Sequence, residues 1–228
     1  MHMFSKANRF YGGHGIVGAQ VPIGVGLAFA HKYRNEKKIS RVYVGDGAMS
    51  NGQVFEAFNL ASLWNLPVLF IIENNRYGMG TAVNRSAAGK DLYERATVFG
   101  IEGEKINGMD FFEVSQAAIR ARDHIYENSK PYVIEMDTYR YRGHSMSDPA
   151  TYRSKDEVNE MKSNDPLISM KNKLQKDFKI KEDEFTVIEA NIKKQIKEVE
   201  KFSLESPLPD LNELFTEVYL WTFYFQPF

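Results

Sequence analysis

Residues 42–81 read VYVGDGAMSNGQVFEAFNLASLWNLPVLFIIENNRYGMGT. An apolar run ends in Gly45-Asp46-Gly47, a helical pattern follows, and a second apolar run ends in Asn74-Asn75. That order is strand, helix, parallel strand, with polar groups at both strand ends. In an open parallel sheet, ligands bind at the carboxyl ends of the strands. Asp46 and Asn75 are therefore expected close together, although 29 positions (75 − 46) separate them.

The residue types suggest what such a site could hold. Asp46 offers a hard anionic oxygen and Asn75 a neutral amide oxygen. One carboxylate with one or two neutral oxygens suits Mg²⁺, which shares its shell with water and substrate phosphates. Gly47 lets a backbone approach closely, and a helix starting just after it would aim free N–H groups at a phosphate. The sum is a Mg²⁺–diphosphate site, with what the diphosphate is attached to left open. The plain alternatives are a turn or capping aspartate at 46 and a turn asparagine at 75.

Composition narrows the classes. The 228 residues suit one sizeable domain with a normal core. Lys+Arg is 29 against Asp+Glu 30, and a net charge of −1 gives no electrostatic case for nucleic acid or membrane binding. The absence of cysteine excludes a disulfide scaffold, a thiolate metal site and a cysteine nucleophile, and is compatible with a reducing compartment. No apolar run reaches the roughly 20 residues needed to span a bilayer. The start, MHMFSKANRF, lacks the apolar core of a signal peptide.

Outward from the central stretch, residues 16–36 read as a helix started or kinked at Pro22, with Gly24 and Gly26 explained by tight packing. Ser50 and Gln53 have the spacing of a capping box, so the helix after the first strand should open near Ser50. Its stripe of Val54, Phe55, Phe58, Ala61, Ser62 and Trp64 should face the sheet. Residues 68–72 are apolar throughout, as in a strand buried on both faces. Residues 76–102 read as a loop with short helical turns. Asp110 should cap a helix with Glu113 at the reciprocal position and Phe111, Val114, Ala118, Ala121 and Ile125 on its buried face. Residues 131–138 form the next strand and 140–153 a long functional loop. Ser154, and Asp165 followed by Pro166, open further helices. Phe185, Ile188, Ile192, Ile196, Val199 and Phe202 recur at steps of three and four, the mark of one long amphipathic helix ended by Pro207 and Pro209. Residues 221–228 are strongly aromatic and unassigned, a vector scar or a contact surface.

GDG and NN at this spacing, with NRYGMGT at 75–81 and YRYRGHSMSDP at 139–149, resemble the alpha subunits of the first component of pyruvate dehydrogenase complexes. These belong to the thiamine diphosphate-dependent 2-oxo acid dehydrogenases. The resemblance runs from residue 1 to about residue 220. It implies an α/β fold, a parallel thiamine diphosphate-binding sheet with helices on both faces, over residues 1–153. A C-terminal helical extension would occupy 154–220. It also implies that a family segment preceding residue 1, which contributes a tyrosine and an arginine near the diphosphate, is missing, and that cofactor binding is weaker for it.

Site residues follow from the same resemblance. Asp46, Asn75 and the backbone carbonyl of Tyr77 become Mg²⁺ ligands. Gly47 and Ala48 donate N–H groups to the diphosphate, and Gly15 and Val17 contact the cofactor. His144 faces the cofactor as the catalytic candidate; an imidazole can donate to a phosphate or developing alkoxide and move protons near neutral pH. His14 would act by hydrogen bonding, whereas His2, His31 and His124 read as ordinary surface or packing residues. Arg140, Arg142 and Arg153 would hold the loop or pair with a carrier protein. Ser145 matches a serine phosphorylated in mitochondrial relatives, and Thr151 raises the same question. A loop hydroxyl without regulation is the preferred reading of Ser145 and Thr151.

Nothing in the chain replaces the glutamate that activates the aminopyrimidine, which in this family belongs to the beta subunit. The implied unit is an alpha2beta2 heterotetramer handing its acyl group to a lipoyl domain of the acyltransferase, in a bacterial cytoplasm or a mitochondrial matrix. The isolated chain should not turn over. The RYGMGT and GHSMSDP runs favour pyruvate over a branched-chain 2-oxo acid or acetoin. A non-catalytic diphosphate-binding or assembly module is the reading from another class. A generic Rossmann nucleotide binder fails, because no GxGxxG follows the first strand.

Overall fold

The computed structural model describes residues 3–89 and 91–216. It divides the chain into two units, residues 1–172 and 173–228. The first unit opens with helix α1 (Gln20–Tyr33), strand β1 (Ser40–Gly45), a 3-10 turn at Ala48–Ser50, helix α2 (Gly52–Leu63) and strand β2 (Val68–Asn74). A small antiparallel pair, β3 (Tyr77–Gly78) and β4 (Thr81–Ala82), leads to the short helices α3 (Val83–Ser86) and α4 (Glu94–Thr97). Then come β5 (Glu102–Asn107), α5 (Phe111–Asn128), β6 (Tyr132–Asp137), α6 (Lys155–Ser163) and α7 (Pro166–Phe178), the last of which crosses the division between the units. The second unit carries α8 (Glu182–Glu205).

Strands β1, β2, β6 and β5 form one sheet in that order, with every neighbouring pair parallel. Alternation along β2 sends Val68, Phe70 and Ile72 to one face, where they join α1 and α2 residues such as Val21, Val25, Val54 and Phe58 in one buried cluster. Leu69 and Ile71 point the other way and pack with Ala117, Ala121 and Ile125 of α5. Helices thus cover both faces, as the unbroken apolar run at 68–72 requires. Phe58 lies edge-on to Phe70 with ring centroids 4.7 Å apart. Both side chains are fully buried, which stabilises the fold by roughly 1.5–3 kcal/mol each.

Several local expectations need correcting. Asn51, not Ser50, caps α2, its Oδ1 accepting from the Gln53 N–H at 3.2 Å. A 3-10 turn, not the helix itself, follows Gly47 directly. Ala57 joins the buried stripe of α2, and Trp64 is left outside at 42 % exposure, against the Phe29 ring. On α5, Ala121 and Ile125 are buried and Val114 packs against their cluster as expected, whereas Phe111 and Ala118 are exposed and Ala117 takes the buried place expected of Ala118. Asp110 caps α5 through the Phe112 and Glu113 amides, but Glu113 reaches back to the Asn107 N–H. Gly24 is a packing glycine, since a Cβ there would overlap Val42; Gly26 has open space around its Cβ direction and needs another reason. Residues 76–102 form the loop with short helical turns that the sequence predicts, plus the β3–β4 pair.

Ser154 and Asp165 cap α6 and α7 as anticipated. In the second unit the Glu184 side chain accepts from the Lys181 N–H at the start of α8. The apolar row Ile188, Ile192, Ile196, Val199 and Phe202 of that helix is solvent-exposed. The aromatic tail at 221–228 lies outside the described residues. Among the described residues no helix is long and apolar enough to cross a membrane.

Candidate functional site

The parallel register aligns Gly45 of β1 with Glu73 of β2, and Asn74 of β2 with Asp137 of β6. The next residues of all three strands therefore leave the sheet along one edge. Asp46 is the first of them. It is 5 % exposed, and its Oδ2 is buried without a hydrogen-bond partner among the described residues. Burial pushes its carboxyl pKa up, against the backbone amides of Asp46 and Asn75 and the Arg140 guanidinium, which favour the anion. Beside it the two loop tips touch. A Cβ on Gly78 would stand 3.1 Å from the Gly47 Cα and 3.6 Å from Asp46 Oδ2, so only glycine fits this approach without displacement.

The β2 tip is organised by two asparagines. Asn74 Oδ1 accepts the Arg76 N–H at 3.1 Å, and Arg76 adopts a left-handed backbone with φ 72°. Asn75 Oδ1 accepts the Tyr77 N–H at 3.4 Å. The Tyr77 carbonyl accepts Arg140 Nη1 at 3.0 Å. Arg76 grips both oxygens of Asp137, at 3.2 and 3.3 Å, joining the ends of β2 and β6. Asp46 and Asn75 are thus brought together, as the spacing argument required, and Tyr77 lies on the same loop tip.

Their chemistry fits a hard divalent cation. A buried carboxyl oxygen with no donor is unfavourable as an anion unless something positive meets it. The Asn75 amide oxygen and the Tyr77 carbonyl each accept one hydrogen bond and have a second lone pair. Among the described residues no group of three or more His, Cys, Asp or Glu is placed to hold a metal. The edge offers one carboxylate with neutral oxygens, a donor set that leaves room for water and phosphate around Mg²⁺.

The loop after β6 is tied to this edge through Arg140. Besides the Tyr77 carbonyl, Arg140 donates from Nη2 to the Met79 carbonyl at 2.6 Å and to Tyr152 Oη at 2.7 Å. Tyr152 donates to Asp148 Oδ2 at 2.9 Å, and the same oxygen accepts the His144 N–H at 2.6 Å. The His144 and Ala150 amides hold the Asp148 carboxyl below its ordinary range. A chain of polar contacts therefore runs from the Tyr77 carbonyl to the His144 backbone. The His144 side chain itself is exposed, as are Ser145 and Thr151. Gly143 passes so close to Asp148 that a Cβ would lie 2.9 Å from the Asp148 Cβ.

Arg153 stacks over the rings of Tyr77, Tyr139 and Tyr152, at 5.6, 5.2 and 5.8 Å, and donates to the carbonyls of Arg140 and Arg142. Glu157 of α6 accepts from the hydroxyls of Tyr77 (2.8 Å) and Tyr139 (2.7 Å). Burial and then Glu157 push the Tyr139 phenol up to about 12. Arg140 and Arg153 accordingly hold the loop in place, one of the two roles anticipated for them.

Gly15, Val17 and His14 are exposed on the segment before α1. The Val17 carbonyl accepts Asn51 Nδ2 and Gln53 Nε2, both at 3.0 Å, which anchors that segment to the start of α2. His31 meets Glu36 at 2.9 Å, and His124 packs against the Tyr132 ring, the ordinary roles expected of them. Sequence reasoning assigns no individual role to Asn74, Gly78, Asp148, Tyr152 or Glu157. For Gly78 a signal existed: a glycine four residues past one strand end, facing a glycine two residues past another.

Comparison with known proteins bears on this arrangement. The family model described as "Dehydrogenase E1 component" matches residues 1–212. A Rickettsia felis protein named pyruvate dehydrogenase E1 component subunit alpha is 54 % identical over 96 % of this chain and 67 % of its own length. Proteins of the same name from Zymomonas mobilis (52 % identical) and, as a mitochondrial form, Dictyostelium discoideum (47 %) are covered over 62 % and 58 % of their lengths, again by 96 % of this chain. The chain thus spans about two-thirds of the length of such relatives. With a parallel sheet, an orphaned carboxyl at the β1 tip and a family match over nearly all of its length, the chain belongs to the dehydrogenase E1 component family.

Proposed function

We propose that the chain is the alpha subunit of a pyruvate dehydrogenase E1 component and binds Mg²⁺–thiamine diphosphate at the carboxyl edge of its sheet. The observation that carries this reading is the buried, unpartnered Oδ2 of Asp46 facing the β2 tip. Asp46, the Asn75 amide oxygen and the Tyr77 carbonyl hold the cation. Gly47 and Ala48 present backbone N–H groups to the diphosphate, with Gly15 and Val17 beside the cofactor. When bound, thiamine diphosphate supplies the nucleophilic carbon and the electron sink for decarboxylating a 2-oxo acid.

The chain's own residues orient and enclose. Arg140 fixes the Tyr77 carbonyl and, through Tyr152 and Asp148, the backbone at His144. His144 carries a ring proton that can be donated toward phosphate or developing negative charge. The glutamate that activates the aminopyrimidine comes from a beta subunit, so the working unit is an alpha2beta2 heterotetramer. It passes the acetyl group to a lipoyl domain of the acyltransferase, in a bacterial cytoplasm or mitochondrial matrix. The names of the relatives favour pyruvate over branched-chain acids. Ser145 is read as a loop hydroxyl.

Co-purification with a pyruvate dehydrogenase beta subunit, followed by a Mg²⁺-dependent pyruvate decarboxylation assay, tests the reading. Asp46→Ala should abolish turnover while the assembly and the circular dichroism spectrum stay intact. Wild-type rates in that variant would remove the ligand assignment.

A further inference from the structure

One buried group has no part in the site as described. Glu135 lies in the middle of β6, fully buried, within the otherwise apolar run Val133-Ile134-Glu135-Met136. Its Oε1 accepts Asn74 Nδ2 at 2.7 Å. Its Oε2 accepts the N–H groups of Leu92 and Tyr93 at 2.6 and 3.0 Å, and Lys105 Nζ stands 3.9 Å from Oε1. We infer that Glu135 is a positioning residue for the metal site: by orienting Asn74 it sets the turn that presents Asn75 and Tyr77. The inference rests on the Mg²⁺–diphosphate reading given above.

The Asn74 side chain is used at both ends. Its NH₂ goes to Glu135 and its oxygen to the Arg76 N–H. A flipped amide would set oxygen against the Glu135 carboxylate and NH₂ against the Arg76 amide, so the carboxylate allows one orientation. In that orientation Asn74 pins Arg76 in a left-handed backbone that non-glycine residues adopt only when their surroundings impose it. Asn75 lies between the two pinned residues, and Tyr77 follows directly. Groups that orient metal ligands through hydrogen bonds usually affect affinity about 10- to 100-fold.

A complementary exchange separates positioning from mere burial. In Glu135→Gln one oxygen is replaced by NH₂, which must face either Asn74 Nδ2 or the Leu92 and Tyr93 amides. In Asn74→Asp two carboxylates meet. In the double variant the glutamine NH₂ donates to the carboxylate introduced at position 74, whose other oxygen still serves Arg76, and the glutamine oxygen takes the two amides. Every hydrogen bond is restored with the charge moved, and only the longer Lys105 contact, at 3.9 Å, is given up.

The experiment titrates Mn²⁺ with thiamine diphosphate into the full chain co-purified with a beta subunit, read by electron paramagnetic resonance and paired with thermal unfolding. Each single variant should bind Mn²⁺ about 10- to 100-fold more weakly, and the double variant should return to within about twofold of wild type. If Glu135→Gln does not fold, Asn74→Ala, which leaves Glu135 its Leu92 and Tyr93 bonds, should show the same weakening. Lower melting with unchanged Mn²⁺ affinity would make Glu135 a purely structural acid and overturn the inference, as would a double variant no better than Glu135→Gln. Asp46→Ala serves as the reference. Loss of binding there with unchanged Glu135 and Asn74 variants sinks only this inference, whereas retained binding in Asp46→Ala sinks the metal-site reading and this one with it.

Discussion

The tip of β1 and the interior of β6 each bury an acidic side chain, and the fold treats the two oppositely. Glu135 is met by three N–H donors and a nearby ammonium. Asp46 has an oxygen that nothing among the described residues meets. A buried acid surrounded by donors belongs to the architecture, and removing it strands the donors. On the proposed reading, a buried acid left short serves a ligand, and removing it relieves the fold. If that reading holds, the sheet sets stability at β6 and recognition at β1, with β2 between them and its Asn74 as the link.

The sharpest way to break this contrast is to truncate each acid and measure both properties. Asp46→Ala should weaken Mn²⁺ binding more than about 100-fold, beyond the usual effect of a residue that only supports a ligand, with no loss of melting temperature. Glu135→Ala should destabilise the chain by about 3 kcal/mol, since buried donors left without partners cost about 1–3 kcal/mol each. Chemical denaturation of the two variants side by side decides it. Equal destabilisation would mean that Asp46 is structural after all.

A finer test uses pH. Burial raises the Asp46 carboxyl above its ordinary value, so the metal-free fold holds that proton more tightly than the unfolded chain does. Stability from this group is fully present below the unfolded value and is lost as pH rises through the folded one. Asp46→Asn should therefore melt above wild type in chelator-treated protein, and the gap should widen from acid to neutral pH. A gap that closes as pH rises would contradict the sign. The smallest effect belongs to Lys105. Burial alone pulls its ammonium down, but Asp91 at 2.7 Å and Glu135 outweigh that and leave it raised. Lys105→Ala should cost about 0.5 kcal/mol, as for a partly exposed pair. A loss rivalling Glu135→Ala would show that the ammonium, rather than the amide donors, is what makes Glu135 tolerable.

The same contrast explains what could be read in advance. Strands β1 and β2 and helix α2 were legible because β2 is apolar on both faces, and that pattern has few alternatives. Asp46 and Asn75 were legible because they punctuate apolar runs. Strand β5 was not foreseen. Its sequence, Glu102 to Asn107, is polar, and only Ile106 is buried, as suits an edge strand beside β6. The face of α5 was misjudged at two places, Phe111, which is exposed at the start of the helix, and Ala118, whose buried place Ala117 takes. Glu135 escaped notice because an acid in a strand ordinarily reads as facing water. The clue was its place inside an apolar run of a sheet covered on both faces. The network around Arg140, Tyr152 and Asp148 could not be read at all, since it depends on where a loop without periodicity comes to rest.

The contact between Gly47 and Gly78 has a consequence for how such a chain can vary over time. Most tight contacts drift by exchange: one side grows while the other shrinks. Here neither side has a side chain to give up, so enlarging either one admits no compensating step at its partner. Either position can therefore gain a side chain only where the opposite loop tip yields by a few tenths of an ångström, so change at one glycine should travel with a shift of the backbone at the other.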